Sequence, residues 1–539
     1  MRKVFYMLIA ICLLSACNED KGNYNYHEIN TVDISMEKVY SVRLNDDTTF
    51  VISPKLSQSL RDNEDNLTFT WLHSTVNHNF YEHGEYDTVS TERDLRFRID
   101  PNEENLEYEH YFRLNIFDEI TGIEYPVNTE IKLVEAYLGT WMVLHEKNGQ
   151  TELGSIEYIG GDVLVQEDAY FKETGKRFQG KPLALMSHRE SCRYYGTGSA
   201  WKMFYVFTDK KDEAGVYCQW KKFEKMDSLT RMVAPGAQAD FDFENITFVD
   251  GDGKSSALIV SNGKLYQSPR ACKIYKPGSK LDGDVRIKFA SKINNIALLY
   301  DELGHRFAYY YNKSTSSGSS KPNPLYFSES QENAQFLEAI PKRDGNISTV
   351  DPNALPEEQK VLYVGMGYNA AYGYAIATTD EKCYVYEFNT GGLLYSFSPS
   401  FNAYTEINLP NGMDENSCFA STSPYSGILF YSSGSTLYRL DYRQAGGKAT
   451  AIYTHPSGKI AKMRFAKRYI NSVYDEEDYA ESEFDLQMSL GISVDMENGT
   501  SDFVILNLSS TGNVGADSEH YSATQVYHEF GKIADFVYM

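Results

Sequence analysis

Short runs of alternating apolar and polar residues, each closed by a Gly, Asn, Asp or Ser turn, recur along most of the chain. Apolar residues at helical spacing are scarce. The first region of alternation spans about His27 to Tyr137. It predicts strands at Thr48–Ile52, Leu67–Leu72, Leu95–Ile99, Tyr111–Phe117 and Glu124–Leu133. Trp71 falls mid-strand, where a sandwich buries a core tryptophan, and Asp118 and Gly122 bracket a turn before the last strand. Roughly 110 residues with this spacing predict an Ig-like β-sandwich that lacks the paired cysteines of antibody domains.

From Leu138 onward the pattern becomes strand, tight turn, strand. Seven hairpins are expected: Trp141–His145 with Glu152–Tyr158, Lys202–Thr208 with Gly215–Trp220, Ala257–Val260 with Lys264–Gln267, Ala297–Tyr300 with Arg306–Tyr311, Tyr374–Thr378 with Lys382–Phe388, Ile428–Tyr431 with Thr436–Tyr442, and Gln487–Val494 with Asp502–Leu508. Ser261-Asn262-Gly263, Ser432-Ser433-Gly434 and Glu302-Leu303-Gly304 carry strong turn chemistry. One hairpin per roughly 57 residues fits the middle strands of four-stranded propeller blades with long loops. The expected fold is all-β, a sandwich over 28–135 and then a seven-bladed β-propeller over 136–539. A pair of unrelated sandwiches is the competing arrangement.

A short repeat bears on how such a ring would close. Gly-Lys-Ile-Ala stands at Gly458–Ala461 and again at Gly531–Ala534. The first copy would open an innermost strand, Gly458–Ala466, ahead of the hairpin at Gln487–Leu508. The second, Gly531–Met539, has no hairpin after it, while the hairpin at Trp141 has no innermost strand before it. The two halves complement each other, so the final strand is expected to join Trp141–Tyr158 and cover two raw sheet edges.

The first residues, Met1-Arg2-Lys3 followed by an apolar run from Val4 to Leu14, have the form of a secretory leader too short to span a bilayer comfortably. Leu14-Ser15-Ala16-Cys17 resembles the bacterial lipobox, which implies a signal peptide over 1–17 and lipid on Cys17. Asn18-Glu19-Asp20-Lys21-Gly22, within a tether over 18–27, resembles the export tag of surface lipoproteins of the Bacteroidota. No other apolar run approaches the roughly 20 residues of a spanning helix. Lipid-anchored placement on the outer membrane, facing the exterior, is therefore expected. Together, "CNEDKGNYNYHEIN", "LTFTWL" and "YFRLNIFDEITGIEY" resemble the PKD-like family of Bacteroidota lipoproteins over roughly the first 135 residues. The resemblance implies a lipid anchor, a PKD-like sandwich and a longer β-rich region. It also implies an accessory role beside SusC/SusD-type transporters that import glycans or peptides, and no catalytic motif.

A formal charge of −24 repels nucleic acid and disfavours direct adhesion to anionic lipid. The 42 tyrosines and 29 phenylalanines suit strands. Of seven cysteines, Cys12 and Cys17 belong to the leader and the lipid. The remaining Cys192, Cys218, Cys272, Cys383 and Cys418 are odd in number and without CxxC spacing, so neither a disulfide framework nor a zinc site is expected. No GxSxG, HExxH or P-loop is present. Asp250-Gly251-Asp252-Gly253 starts like a calcium loop but lacks the closing Glu, and a plain hairpin turn is expected there. No cofactor or metal is expected.

Three connections between an innermost strand and its hairpin are aromatic and glycine-rich: Arg193–Trp201, Gly365–Tyr374 and Ser423–Gly427. In a propeller they emerge on one face. Tyr194, Tyr195, Trp201, Tyr368, Tyr372 and Tyr425 are therefore the expected ligand platforms, stacking on sugars or peptides. Two function classes stand: a non-catalytic binding accessory of a nutrient-uptake complex, and a propeller glycoside hydrolase or lyase. Two or three carboxylates converging in an axial funnel beside an arginine favour the second; an aromatic, shallow or covered face favours the first.

Overall fold

The computed structural model describes residues 28–44, 48–76, 86–100, 107, 109–137, 139–159, 162–190, 201–218, 222–252, 256–269, 274–293, 296–311, 336–341, 350–368, 371–389, 400–466, 488–518 and 521–539. Its regular structure is all-β apart from three short helices among these residues, Ala169–Thr174, Leu229–Met232 and Pro235–Gln238. The chain divides into two compact units, the first running to Val134 and the second from Glu135 to Met539.

In the first unit every strand expected from the alternation is present. A five-stranded sheet runs Val39–Leu44, Ile123–Glu135, Glu109–Asp118, Leu67–Ser74 and Asp87–Ser90. Two ribbons, Val32–Ser35 with Lys55–Gln58 and Thr48–Ile52 with Leu95–Ile99, share its core. Leu95–Ile99 buries its two ends and exposes the arginines between, as alternation dictates. Trp71 is fully buried, and its indole N–H donates to the Glu92 carbonyl at 3.2 Å. His73 and His110, diagonal neighbours on paired strands, meet Nε2 to Nδ1 at 3.0 Å against Phe97 and Phe112.

Among the described residues the second unit holds seven sheets in chain order, antiparallel except for two short strands added in parallel to the fourth, and each expected hairpin forms the middle pair of one. The first sheet is Lys532–Tyr538, Trp141–Lys147, Gln150–Ile159 and Asp162–Gln166. The second is Pro182–Glu190, Trp201–Thr208, Gly215–Cys218 and Glu224–Ser228. The third has Ile246–Phe248, Ser256–Ser261 and Lys264–Pro269, with Tyr275 bridging Gln267 at its outer edge. The fourth is built on Ile287–Ile293, Ile296–Asp301, Arg306–Tyr311 and Phe336–Ala339. The fifth is Lys360–Met366, Tyr372–Thr378, Lys382–Asn389 and Ser400–Asn408. The sixth is Phe419–Ala420, Ile428–Ser433, Thr436–Asp441 and Lys448–Thr454, and the seventh Lys459–Phe465, Ser489–Asp495, Ser501–Asn507 and Thr524–Tyr527.

One local expectation is corrected. Asp250–Asp252 is no hairpin turn: it runs parallel to Ser291–Ile293, whose open edge takes its backbone hydrogen bonds. The turn expected at Glu302-Leu303-Gly304 is present, with His305 left-handed (φ 46) at its end. The Asn262-Gly263 turn has both residues at positive φ, 47 and 72, the type I′ form that matches strand twist.

Middle strands such as Ile296–Asp301 and Ser501–Asn507 are buried along their whole length, because each sheet is covered on both faces. Seven apolar cores lie between them. Leu153 packs with Phe204 between the first and second sheets, Phe207 with Ile259 between the second and third, and Leu258 with Leu299 between the third and fourth. Phe307 packs with Ala375, Val385 with Leu429, and Phe430 with Ile492 across the next three boundaries. The last core joins Trp141, Val143 and Ile156 of the first sheet to Phe503 and Ile505 of the seventh. The series of cores returns to its starting point.

The final strand makes that return possible. Trp141 pairs with Tyr538, Met142 with Val537 and Val143 with Phe536. Thr140 and Met539 exchange backbone hydrogen bonds at 3.1 and 2.8 Å. Beyond a bulge at Leu144/His145, the buried His145 takes a place in the seam. Its Nδ1 accepts from the Gly531 N–H at 3.1 Å, so Nε2 carries the proton and donates to the Glu167 carbonyl at 2.8 Å. Trp141 stands edge-on to Phe503, Phe536 and Tyr538 at 5.6, 6.0 and 5.3 Å. The repeated glycine has a different reason in each copy. Gly458 has φ +90, whereas a Cβ on Gly531 would lie 2.0 Å from the Glu146 carbonyl oxygen.

Candidate functional site

The first strand of each sheet faces one shared cavity of about 290 Å³ in the second unit. Asp535, Ala184, Thr247, Phe289, Tyr363, Phe419 and Arg464 line it, one from each sheet in turn. Closely spaced innermost strands leave no room for a further layer of backbone, so the space between them is filled by side chains alone.

The lining has two sides of different character. On the fourth to sixth sheets it is aromatic. Tyr363 and Phe419 stack with ring centroids 5.5 Å apart at 20°, and Phe289 lies beyond them against Tyr300. The Tyr363 hydroxyl meets Ser421 Oγ at 2.9 Å, and Ser421 donates onward to the Met366 carbonyl at 2.5 Å. Burial pushes the Tyr363 phenol up to about 12, so it stays protonated.

On the seventh and first sheets the lining is charged. Lys462 and Asp535 occupy the position directly after the two Gly-Lys-Ile-Ala copies. Adjacent innermost strands bring these equivalent positions together: Lys462 Nζ lies 3.0 Å from Asp535 Oδ1 and 2.9 Å from the Ala534 carbonyl. Arg464 Nη2 lies 3.4 Å from the same carboxylate oxygen, and Arg464 Nη1 donates to the Phe536 carbonyl. Asp535 Oδ2 accepts the Leu185 N–H at 2.9 Å, so one carboxylate ties together the seventh, first and second sheets. Burial alone would raise the Asp535 carboxyl. Arg464 and Lys462, with the Leu185 N–H, outweigh it and hold the group below the usual carboxylate range.

Asp535 is the only carboxylate among the described lining residues, and it is engaged on both oxygens. Acid–base hydrolysis of a glycoside needs two carboxyl groups, one of them free to carry a proton. Lys462 and Arg464 line this side with Asp535, while Lys288, on the fourth sheet, pairs with Glu302 at 2.9 Å. Among the described residues no group of three or more His, Cys, Asp or Glu side chains could hold a metal.

The residues expected from sequence fare differently. Cys17, Tyr194 and Tyr195 lie outside the described residues, and of Trp201 only the backbone, which opens the second strand of its sheet, is described. Tyr368 and Tyr372 share one connection, closed by Gly367 N–H to Tyr372 O at 2.7 Å and Ala371 N–H to Tyr368 O at 3.1 Å. Tyr368 keeps 36% of its surface open; Tyr372 is half-buried. Tyr425 is a correction. It is 2% exposed, packed between Phe430 and Phe465, and its hydroxyl donates to the Ser509 carbonyl at 2.8 Å. A ring spent on the core between the sixth and seventh sheets has no face left for a ligand. Sequence reading missed the lining side chains, although one signal was there: opposite charges follow the two copies of the repeat.

The PKD-like family matches residues 17–182, which takes in the described part of the first unit, the helix Ala169–Thr174 and every strand of the first sheet except Lys532–Tyr538. No curated protein matches the chain. Among solved structures, a quinonprotein alcohol dehydrogenase-like protein from Bacteroides thetaiotaomicron is similar over 93% of this chain and 96% of its own, at 11% identity and a TM-score of 0.40. Apo AztD from Citrobacter koseri covers 79% and 94% at 10% identity and a TM-score of 0.35. YCF48 bound to D1 peptide covers 50% and 66% at 14% identity and a TM-score of 0.28. At these scores the likenesses say nothing of ligand or activity.

Proposed function

We propose that the second unit is a seven-bladed β-propeller closed by its last strand, and that the chain is a non-catalytic binding accessory of a SusC/SusD-type uptake complex for glycans or peptides. In this reading lipid on Cys17 anchors the protein to the outer membrane, the PKD-like unit is the spacer or docking module, and the propeller is the head. The observation that carries the non-catalytic part is the state of Asp535: the one carboxylate described in the axial cavity is locked between two cations and a backbone N–H. The match of the PKD-like family to residues 17–182 supports the anchor-and-spacer part. The alternative, a glycoside hydrolase or lyase, would in its hydrolase form need a carboxylate pair at the axis, and the described lining supplies one carboxylate only.

The test is a pull-down of the tagged full chain from outer membranes solubilised in mild detergent, beside a Cys17→Ala control. Co-purification of a SusC/SusD-type pair with the wild type, and its loss together with membrane association in the control, is the expected result. Recovery of the chain alone from the membrane fraction refutes the uptake-complex reading.

A further inference from the structure

We propose that the outer face of the five-stranded sheet in the first unit binds an acidic glycan, with Arg113 taking the carboxylate of one sugar unit and Phe117 stacking on the ring of another. This goes beyond the accessory role: it assigns a ligand to the unit otherwise read as a spacer, and it stands whether or not a transporter partner exists.

Alternation along Glu109–Asp118 sends Phe112, Leu114 and Ile116 into the core and Arg113, Asn115 and Phe117 to the other face. Arg113 lies between Leu72 and Asn128 of the neighbouring strands, and Asn115 between Thr70 and Pro126. Arg113, Asn115 and Asn128 are therefore within about 8 Å of one another at Cβ. Each has a shielded polar atom without a hydrogen bond: Arg113 Nε, Asn115 Oδ1 and Asn128 Oδ1. Folded chains keep such atoms rare, and three on adjoining side chains of one open face mark a place that something outside the chain completes. The outer ends, the guanidinium Nη atoms and the amide Nδ2 atoms, are open to solvent and make no hydrogen bond or ion pair among the described residues. Glu130, diagonal to Arg113, pairs with Lys132 at 3.8 Å instead.

A half-buried guanidinium fork matches a planar carboxylate through two parallel hydrogen bonds. An amide both donates and accepts, as the hydroxyl groups flanking a sugar carboxylate require. An acidic side chain of a protein offers the carboxylate without those hydroxyls. Phe117 continues the row four residues beyond Arg113, about 14 Å away at ~3.4 Å per residue, and is 42% exposed. A ring open at the surface stacks on the C–H face of a sugar. A row of this length suits an extended chain of sugar units rather than a single small solute.

Titration calorimetry on the full chain uses tetragalacturonate and tetramannuronate, two acidic chains of different linkage geometry, beside the methyl ester of each and tetraglutamate. At least one acidic sugar chain is expected to bind, its uncharged ester at least tenfold more weakly, and tetraglutamate not at all. Arg113→Met, which keeps the stem and removes the fork, is expected to weaken binding at least tenfold with Tm unchanged, and Arg113→Lys to recover only part of the loss. Phe117→Ser, at an exposed position, is expected to weaken binding severalfold and serves if the arginine variant fails to fold. Binding of neither sugar chain, binding of the ester as tight as that of the acid, or undiminished binding in the variants overturns the inference. Tetraglutamate binding as tightly as the sugar acid overturns it in favour of an acidic protein surface. None of these outcomes depends on the pull-down, so the two readings fail separately.

Discussion

Replacing Asp535 with alanine separates a closed ring from a row of sheets. The carboxylate is 3% exposed and touches three sheets. Its removal orphans the buried Leu185 N–H, at a cost of ~1–3 kcal/mol. It also removes one counter-ion from Arg464, only 12% exposed. Lys462, open to the cavity, turns to water at little cost. Breaking a buried pair by deleting one partner costs ~3–5 kcal/mol, and with the orphaned N–H the expected loss sits in that range, against a whole-domain stability of ~5–15 kcal/mol. The assay is denaturant unfolding followed by tryptophan fluorescence in a Trp71→Phe background, which leaves Trp141, Trp201 and Trp220, all in the second unit, as the emitters. Lys462→Met alone is expected to cost under ~1 kcal/mol. The pH dependence has a fixed sign. A carboxyl whose folded pKa is depressed contributes stability present above about pH 4 and lost as pH falls through the lowered value. The gap between wild type and Asp535→Asn should therefore close below about pH 4. A loss under ~1 kcal/mol in Asp535→Ala, or a gap that does not change with pH, refutes the latch.

His145 gives a second acid limit: burial holds its imidazole down to about 4, and protonating Nδ1 would remove the acceptor of the Gly531 N–H. Its contribution is present above pH 6.5 and lost toward pH 4, about 3 kcal/mol in full, and thermal melts of His145→Gln should lack that window. In the first unit burial, and then the neighbouring His110, lower His73 to about 4 against the opposing pull of Asp87. Melting of the isolated transition of that unit should fall over the same interval by on the order of 1–2 kcal/mol after discounting for solvent, and His73→Phe should flatten it. Tyr425→Phe should cost about 1 kcal/mol and Tyr425→Ala about 3–5 kcal/mol of stability in a denaturant titration, with ligand affinity of the folded protein unchanged.

The framework was legible because hairpins are local. All seven were marked by alternation and turn residues, and most middle strands are buried on both faces, which concentrates their apolar residues. The closing strand could be read from a repeat whose second copy has no hairpin of its own. Strands with weak patterns were missed: Val32–Ser35 and Asp87–Ser90 are short edges with exposed side chains, and Asp250–Asp252 takes its structure from a neighbouring edge. The cavity was not legible, because Lys462, Tyr363, Phe419 and Asp535 are far apart in the chain and meet only once the first strands converge. Tyr425 misled for a related reason: an aromatic beside a glycine-rich loop reads the same whether its ring points out or into the gap between two sheets.

Deleting residues 531–539 tests ring closure most directly. The segment buries Ile533, Phe536, Val537, Tyr538 and Met539, each worth ~1.5–3 kcal/mol, a sum on the order of the whole stability of a domain. It also exposes the edges of Trp141–Lys147 and, across the seam, the face of the seventh sheet. The expected result in differential scanning calorimetry is loss of the second unit's transition, with aggregation, while the first unit still melts. An unchanged transition in a soluble, monomeric truncation would contradict the closed ring.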